Sequence, residues 1–392
     1  MTRRFTMTRL LFVPVTLVAF ASPLAAEVGS VVYLDGEVEV VRDGERIWQE
    51  IDFGFPLESY DLIRTGDNGL VELELDEPAG LTASITVEPN TSFYLDVSAQ
   101  RTDTPSGVEL LGGSVRLALQ QYGAGFEVRT EATTMGVRGT VFDVVTSVRG
   151  DILVTCEEGA VVCSTDGGPE LVATPGRAVE ARVGERLRNL TVGGANLESF
   201  QSEWMRDRLL EFRSTPLPLL NLYAERYLEL RTGFAEAYRD LMSRRDVLDK
   251  WRQEDRLGSI GTMMERMRER RSVLPGLFGM RRVLFFLERI WFRLDVLLQE
   301  AGPELAGRQL GVGLTVGELT RQFENDAGLL TERMDEVRYV FKLFAERNDG
   351  RLPFDEFEDP FGDTPRENES DDPFSGDPFS DDPFPIENRD DN

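Results

Sequence analysis

An arginine held between glycines is the first residue whose setting suggests chemistry. In Gly136-Val137-Arg138-Gly139-Thr140 one guanidinium sits where the backbone is free to turn sharply. So placed, Arg138 could clamp a carboxylate or phosphate, or it could satisfy the free carbonyls of a strand corner. Cys156 and Cys163 form a second candidate: they lie on the two arms of one expected hairpin and could close a disulfide in an oxidising compartment or remain core thiols. The third is a basic island of Arg266, Arg268, Arg270, Arg271, Arg281 and Arg282 around Pro275-Gly276, where a helix break is expected. It could hold a phospholipid or lipopolysaccharide phosphate, an acidic protein or the chain's own acidic tail; otherwise it is a solvated helix face with Glu265 and Glu269 as partners.

Catalysis has little to work with. None of the 392 residues is histidine, which removes the commonest general base, the His-dependent nucleophile systems and imidazole metal sites. Two-carboxylate hydrolysis survives, but 70 acidic residues single out no pair. Two cysteines without other soft ligands make no metal site. No catalytic residue, metal or cofactor is therefore assigned, and a formal net charge of -27 argues against nucleic acid as a partner.

The elements that position these residues change character along the chain. From residue 28 to about 180 apolar residues alternate, as in Val71, Leu73 and Leu75, then Ile85 and Val87, then Val115, Leu117 and Leu119. That period of two predicts half-buried antiparallel strands. Three turns share one grammar, a glycine followed two residues later by valine: Gly36 and Val38, Gly113 and Val115, Gly159 and Val161. Read as hairpins, they predict stacked β-arms in an elongated roll or sandwich with a continuous core.

The corner at Gly136–Thr140 follows the strand-like Phe126–Thr130, runs into Val141–Val145, and precedes Val154-Thr155-Cys156-Glu157-Glu158-Gly159-Ala160-Val161-Val162. Upstream stand Gly29–Val32, Asp35–Val40, Gly54–Leu57 and Asp61–Thr65, in that order. The series resembles the hallmark of the FecR family of envelope domains over roughly residues 27 to 180. The resemblance implies a non-enzymatic module for envelope sensing or protein interaction; it names no ligand, and no residue here carries an iron or siderophore role.

After Gly193-Gly194 the period lengthens to that of a helix. Tyr223, Tyr227, Leu230, Phe234, Tyr238 and Leu241 form one stripe; Val283, Leu287, Ile290, Leu294 and Leu297 a second; Leu319, Phe323, Ala327, Leu330, Met334, Val337 and Phe341 a third. A further helix is expected over Leu197–Phe212, and Thr315 with Glu318 reads as a capping box. Stripes of this kind pack into a bundle with coiled-coil-like seams. Glu288, Arg289, Arg293 and Asp295 interrupt the apolar run after Val283, which favours a buried helix over a membrane span.

At the start, Arg3, Arg4 and Arg9 precede an apolar run from Leu10 to Phe20, and Leu24-Ala25-Ala26 suits signal-peptidase cleavage. At the other end, residues from Arg351 carry fifteen Asp and Glu against three Arg, a composition that predicts disorder. Within it Asp-Pro-Phe recurs at Asp359–Phe361, Asp372–Phe374, Asp377–Phe379 and Asp382–Phe384, a spacing suited to avidity.

The expected organisation is a signal peptide over 1–26, an all-β FecR-like domain over 27–192, an all-α helical bundle over 195–348 and a disordered acidic tail over 349–392. The expected product is an exported protein of the periplasm or cell surface, with no membrane span after cleavage and envelope proteins as partners. Cell-wall polysaccharide binding is the alternative, and a homo-oligomer built through the helices is a third.

Overall fold

The structure is a computed structural model that describes residues 27–76, 82–97, 106–120, 126–130, 133–137, 139–165, 168–192 and 196–348, without the side chains of Asp76, Ser106 and Arg282. The expected signal peptide, Arg138 and the tail with its Asp-Pro-Phe triplets lie outside the described residues.

Among the described residues from 27 to 191 the regular elements are strands. The first six are β1 (Glu27–Asp35), β2 (Val38–Arg42), β3 (Glu45–Ile47), β4 (Pro56–Glu58), β5 (Leu62–Thr65) and β6 (Leu70–Asp76). Next come β7 (Thr82–Val87), β8 (Ser92–Asp96), β9 (Ser106–Gly112), β10 (Ser114–Gln120), β11 (Phe126–Arg129) and β12 (Thr134–Val137). The last are β13 (Val141–Thr146), β14 (Ile152–Glu158), β15 (Val161–Ser164), β16 (Leu171–Ala173), β17 (Arg177–Ala181) and β18 (Arg188–Thr191).

They build two sheets. One runs β18-β17-β14-β13-β10-β7-β6-β1-β4 and the other β16-β15-β12-β11-β9-β8-β5-β2-β3. Pairing is antiparallel throughout, save for β9 and β11, which run parallel. Hairpins such as β6–β7 and β13–β14 in the first sheet alternate along the chain with β8–β9, β11–β12 and β15–β16 in the second. Alternation then places every second side chain between the sheets, where Val71, Leu73, Ile85, Leu117, Phe93, Val128 and Met135 share one core.

The three glycine turns are the links between hairpins. Gly36 joins β1 to β2, Gly113 joins β9 to β10 and Gly159 joins β14 to β15, and each of these pairs belongs to opposite sheets. All three have positive φ, at 68°, 95° and 84°, the region that glycine enters without steric penalty. The strands on either side therefore arch across the core and do not pair with each other. A two-residue hairpin of the Asp-Gly type falls instead at Asp43-Gly44, between β2 and β3, with φ of 57° and 77°.

The helical part comprises α1 (Leu197–Ser214), α2 (Pro216–Met242), α3 (Arg245–Arg256), α4 (Met263–Ala301) and α5 (Val316–Glu346). Asn196 caps α1, Pro216 opens α2, and capping boxes start α4 at Thr262/Glu265 and α5 at Thr315/Glu318. Pro275 lies inside α4, which is 39 residues long in all and runs through it, so the helix break expected at Pro275-Gly276 does not occur. Packing along α2 offsets the lost hydrogen bond: Gly276 lets the two helices approach so closely that a β-carbon on it would stand 3.1 Å from Leu241 Cα. The predicted stripes meet in one core, in which Trp291 stacks on Phe323 at 4.0 Å and Tyr227 leans on both.

Helices cover both outer faces of the sandwich. Trp204 of α1 packs on Val145, Leu153 and Ala178 of the first sheet. Phe292 of α4 packs on Val41, Leu62, Leu111 and Tyr94 of the second. Burial on both faces explains the unbroken apolar run Ile152-Leu153-Val154 in β14.

Candidate functional site

Charged residues buried where α4 and α5 cover the second sheet form the most distinctive chemical feature among the described residues. Arg338 of α5 grips Glu288 of α4 with two parallel bonds, each 2.5 Å, and its guanidinium lies 4.5 Å from the centre of the Tyr94 ring on β8. Burial alone would lower the Arg338 pKa, but the Glu288 carboxylate outweighs it and raises it, so the guanidinium stays charged. Next to it Arg289 reaches from α4 to Glu109 on β9 at 3.1 Å.

The seam continues along α5. Asp335, 1% exposed, accepts from Arg64 of β5 at 3.4 Å and faces Arg46 of β3 at 3.5 Å. Burial pushes its carboxyl up, and Arg64 is the largest opposing influence. About two turns further on, Lys342 binds Asp43 at 2.5 Å and Glu58 at 3.3 Å, so its ammonium reaches the β2–β3 turn and β4 together. Buried ion pairs of this kind add little net stability over apolar packing, but they penalise any other docking of helix on sheet by leaving a charge unpaired.

Beside the seam an open cleft of about 550 Å³ is lined by Gly36, Glu37, Val38, Glu39, Trp48, Arg64, Thr65 and Gly66. Arg64 belongs to both features, since it pairs Glu39 at 3.1 Å as well as Asp335. Trp48 is 57% exposed at the rim. An indole face, two carboxylates and a guanidinium around an open cleft suit a polyhydroxylated or peptide ligand by stacking and hydrogen bonding.

The residues singled out by the sequence are dispersed. Gly136 and Val137 end β12, Val137 sits in the core, Gly139 has φ of 62°, and Thr140 is buried beside β13. β12 and β13 belong to opposite sheets, so the chain changes sheet here; of the two glycines Gly139 alone has positive φ, whereas Gly136 lies within β12 with nothing within 4 Å of where a β-carbon would stand. Cys156 and Cys163 do not share a hairpin, because β14 and β15 belong to opposite sheets; they enter the core as separate thiols, and burial pushes them up to about 11 and about 12. Arg266, Arg268, Arg270, Arg271 and Arg281 lie on α4, with Arg270 over the Phe344 ring at 5.7 Å. Neither the corner nor the cysteines adjoin the charged seam residues of α5 in any hydrogen bond or ion pair among the described residues.

The seam itself was not singled out from sequence. Its local signal is charge set inside apolar stripes, with Glu288 following Leu287 and Asp335 following Met334; Glu288 meets Arg338 fifty residues on, and the partners on the sheet lie 180 residues or more away. Among the described residues no group of three or more acidic or cysteine side chains is arranged to hold a metal ion, and no helix is long and apolar enough to cross a membrane.

Residues 61–162 match the family described as FecR protein, so the chain carries a FecR-type domain. Two crystal structures of a protein from Parabacteroides distasonis ATCC 8503, provisionally described as an anti-sigma factor, are similar at 15% and 16% identity. Their TM-scores are 0.27 and 0.28; each comparison covers 33% of this chain and 57% or 59% of the other, less than two thirds of those chains. No curated protein matches.

Proposed function

We propose that this protein is a non-catalytic, exported envelope component whose FecR-type domain and helical region work together as a sensing or scaffolding module for protein partners. The observation that carries this is the seam: Arg46, Glu58, Arg64 and Glu109, charges from four strands, are paired with α4 and α5, so sheet and helices form one surface for a partner to read. The expected domain limits of 27–192 and 195–348 are then limits of secondary structure within one working unit. Truncation at 192 would strip cover from Val41, Leu62 and Leu111, so it is a poor probe of the β domain alone.

Crosslinking with affinity capture from the cell envelope tests the proposal. The full-length chain should retain a reproducible protein partner, and Arg338→Met, which unlocks the seam, should weaken its capture. Capture of no specific protein by the full-length chain sinks it.

The cleft favours a second reading, in which the module binds cell-wall glycan. Trp48→Ala should then abolish retention on purified cell-wall polysaccharide while leaving protein capture intact. An oligomer built through the helices would appear as a concentration-dependent mass of the full-length chain.

A further inference from the structure

We infer that the hairpin tip between α3 and α4 is a docking element for an anionic lipid surface. From Arg256 to Met264 nine consecutive residues are exposed, so the tip is a projection and not a groove. Leu257, Ile260, Met263, Met264 and Met267 are all exposed, Met264 by 80% and Leu257 by 72%. Gly258 and Gly261 turn the chain at the apex with φ of 65° and 68°.

The first turns of α4 have their polarity inverted. Met263, Met267 and Arg271 follow one another at intervals of four, and Met264 and Arg268 form the adjacent row, so the apolar side chains share one helix face with two arginines. The face turned towards α3 is the acidic one: Glu269 holds Lys250 at 2.6 Å and the Trp251 indole N–H at 2.9 Å, and Glu265 lies 3.6 Å from Lys250. A helix that only needed to pack would bury its methionines and expose its glutamates. Here both acids of the first turns are directed to Lys250, which also pairs Glu254 of α3 at 3.4 Å, and apolar and cationic groups are left outside together.

That combination fits a bilayer interface bearing anionic headgroups. Flexible aliphatic side chains enter the boundary between headgroup and acyl chain, while guanidinium groups one turn away meet the phosphates. A second copy of the tip is a poor occupant, because its own arginines would face these. A protein partner is a weaker fit too, since the tip offers neither a concave pocket nor an aromatic anchor. The whole chain carries -27 and is repelled by such a surface, so contact is confined to this locally basic tip and orients the molecule on it.

The test is co-sedimentation of residues 27–392, which lack the apolar Leu10–Phe20 run, with vesicles of phosphatidylcholine with and without phosphatidylglycerol. Binding is expected only with phosphatidylglycerol and should weaken as salt rises. L257D/M264D should lower the affinity by at least about tenfold, and Arg268→Gln and Arg271→Gln by about fivefold each, with unfolding curves unchanged. Absence of binding to phosphatidylglycerol vesicles, or equal binding by L257D/M264D, overturns the proposal. So does a tip-dependent dimer, or a tip-dependent protein partner, in a chain indifferent to vesicles.

Discussion

Gly159 lies against Thr140: a β-carbon built on Gly159 would stand 2.7 Å from the Thr140 methyl and 2.9 Å from the Gly139 carbonyl oxygen. The arch between β14 and β15 is thus stacked on the arch between β12 and β13, and two stretches of the family pattern meet in space. Gly159→Ala would face both that contact and a φ of 84°. We expect it to cost about 2–4 kcal/mol, read as a lower midpoint in urea with an unchanged slope. A loss below about 1 kcal/mol would mean that the arches are not held in contact.

Arg338 and Glu288 make a prediction about specificity. Either single substitution, Arg338→Met or Glu288→Leu, leaves its former partner charged and buried, at a cost of about 3–5 kcal/mol. The double variant should recover much of that loss. A double-mutant cycle by chemical denaturation measures the recovery, and additive losses would show that the two side chains act independently.

Much of the architecture is legible in the sequence because it is written in local pattern. The alternation Val71-Leu73-Leu75, the crossover at Gly139 and the box at Thr315/Glu318 each need only a short window of residues. What is not legible depends on which partner a segment meets. A glycine at positive φ followed by valine serves a hairpin and an arch equally well, so Gly36, Gly113 and Gly159 do not reveal that their strands part into opposite sheets. The seam is hidden more deeply, because Arg64 and Asp335 are brought together only when α5 lies down on the second sheet.

Glu180 and Trp204 supply an optical probe of α1 on its sheet. The buried carboxylate accepts the indole N–H at 2.7 Å and is also held by Arg188. Burial would raise its pKa, but the hydrogen bonds from Arg188 and Trp204 outweigh it, and the carboxyl stays below its usual range. Its contribution to stability is therefore full above about pH 4.5 and is lost as pH falls through its folded value. Tryptophan fluorescence during acid titration should show α1 loosening in that range. Glu180→Gln should abolish that pH dependence and cost about 2–4 kcal/mol at neutral pH.

The thiols of Cys156 and Cys163, both far above neutral pH in their titration, should resist alkylation in the native protein and react on unfolding. Protein isolated from an oxidising compartment and unfolded without reductant gives the complementary reading. Two titratable thiols are expected from the free cysteines of the structure, whereas a mass short by two hydrogens would show that the opposite sheets have been bridged.

At the end of α5, Glu346 titrates in the opposite sense to Glu180. Burial pushes its carboxyl up to about 7; Lys342 and Arg347 oppose the shift, while Asp255 and Asp43 add to it. The folded state thus takes up a proton near neutrality that the unfolded chain takes up only near pH 4.5. Between those values the native protein binds more protons, so this group makes stability fall as pH rises. Allowing for its partial exposure, the loss is about 1–2 kcal/mol across the window. Glu346→Gln should remove that slope and stabilise the protein above pH 7 by the same amount, measured by urea midpoints at a series of pH values. If the variant keeps the wild-type slope between pH 5 and pH 7, another group is responsible, and the ionised Glu346 is accommodated by Lys342 without penalty.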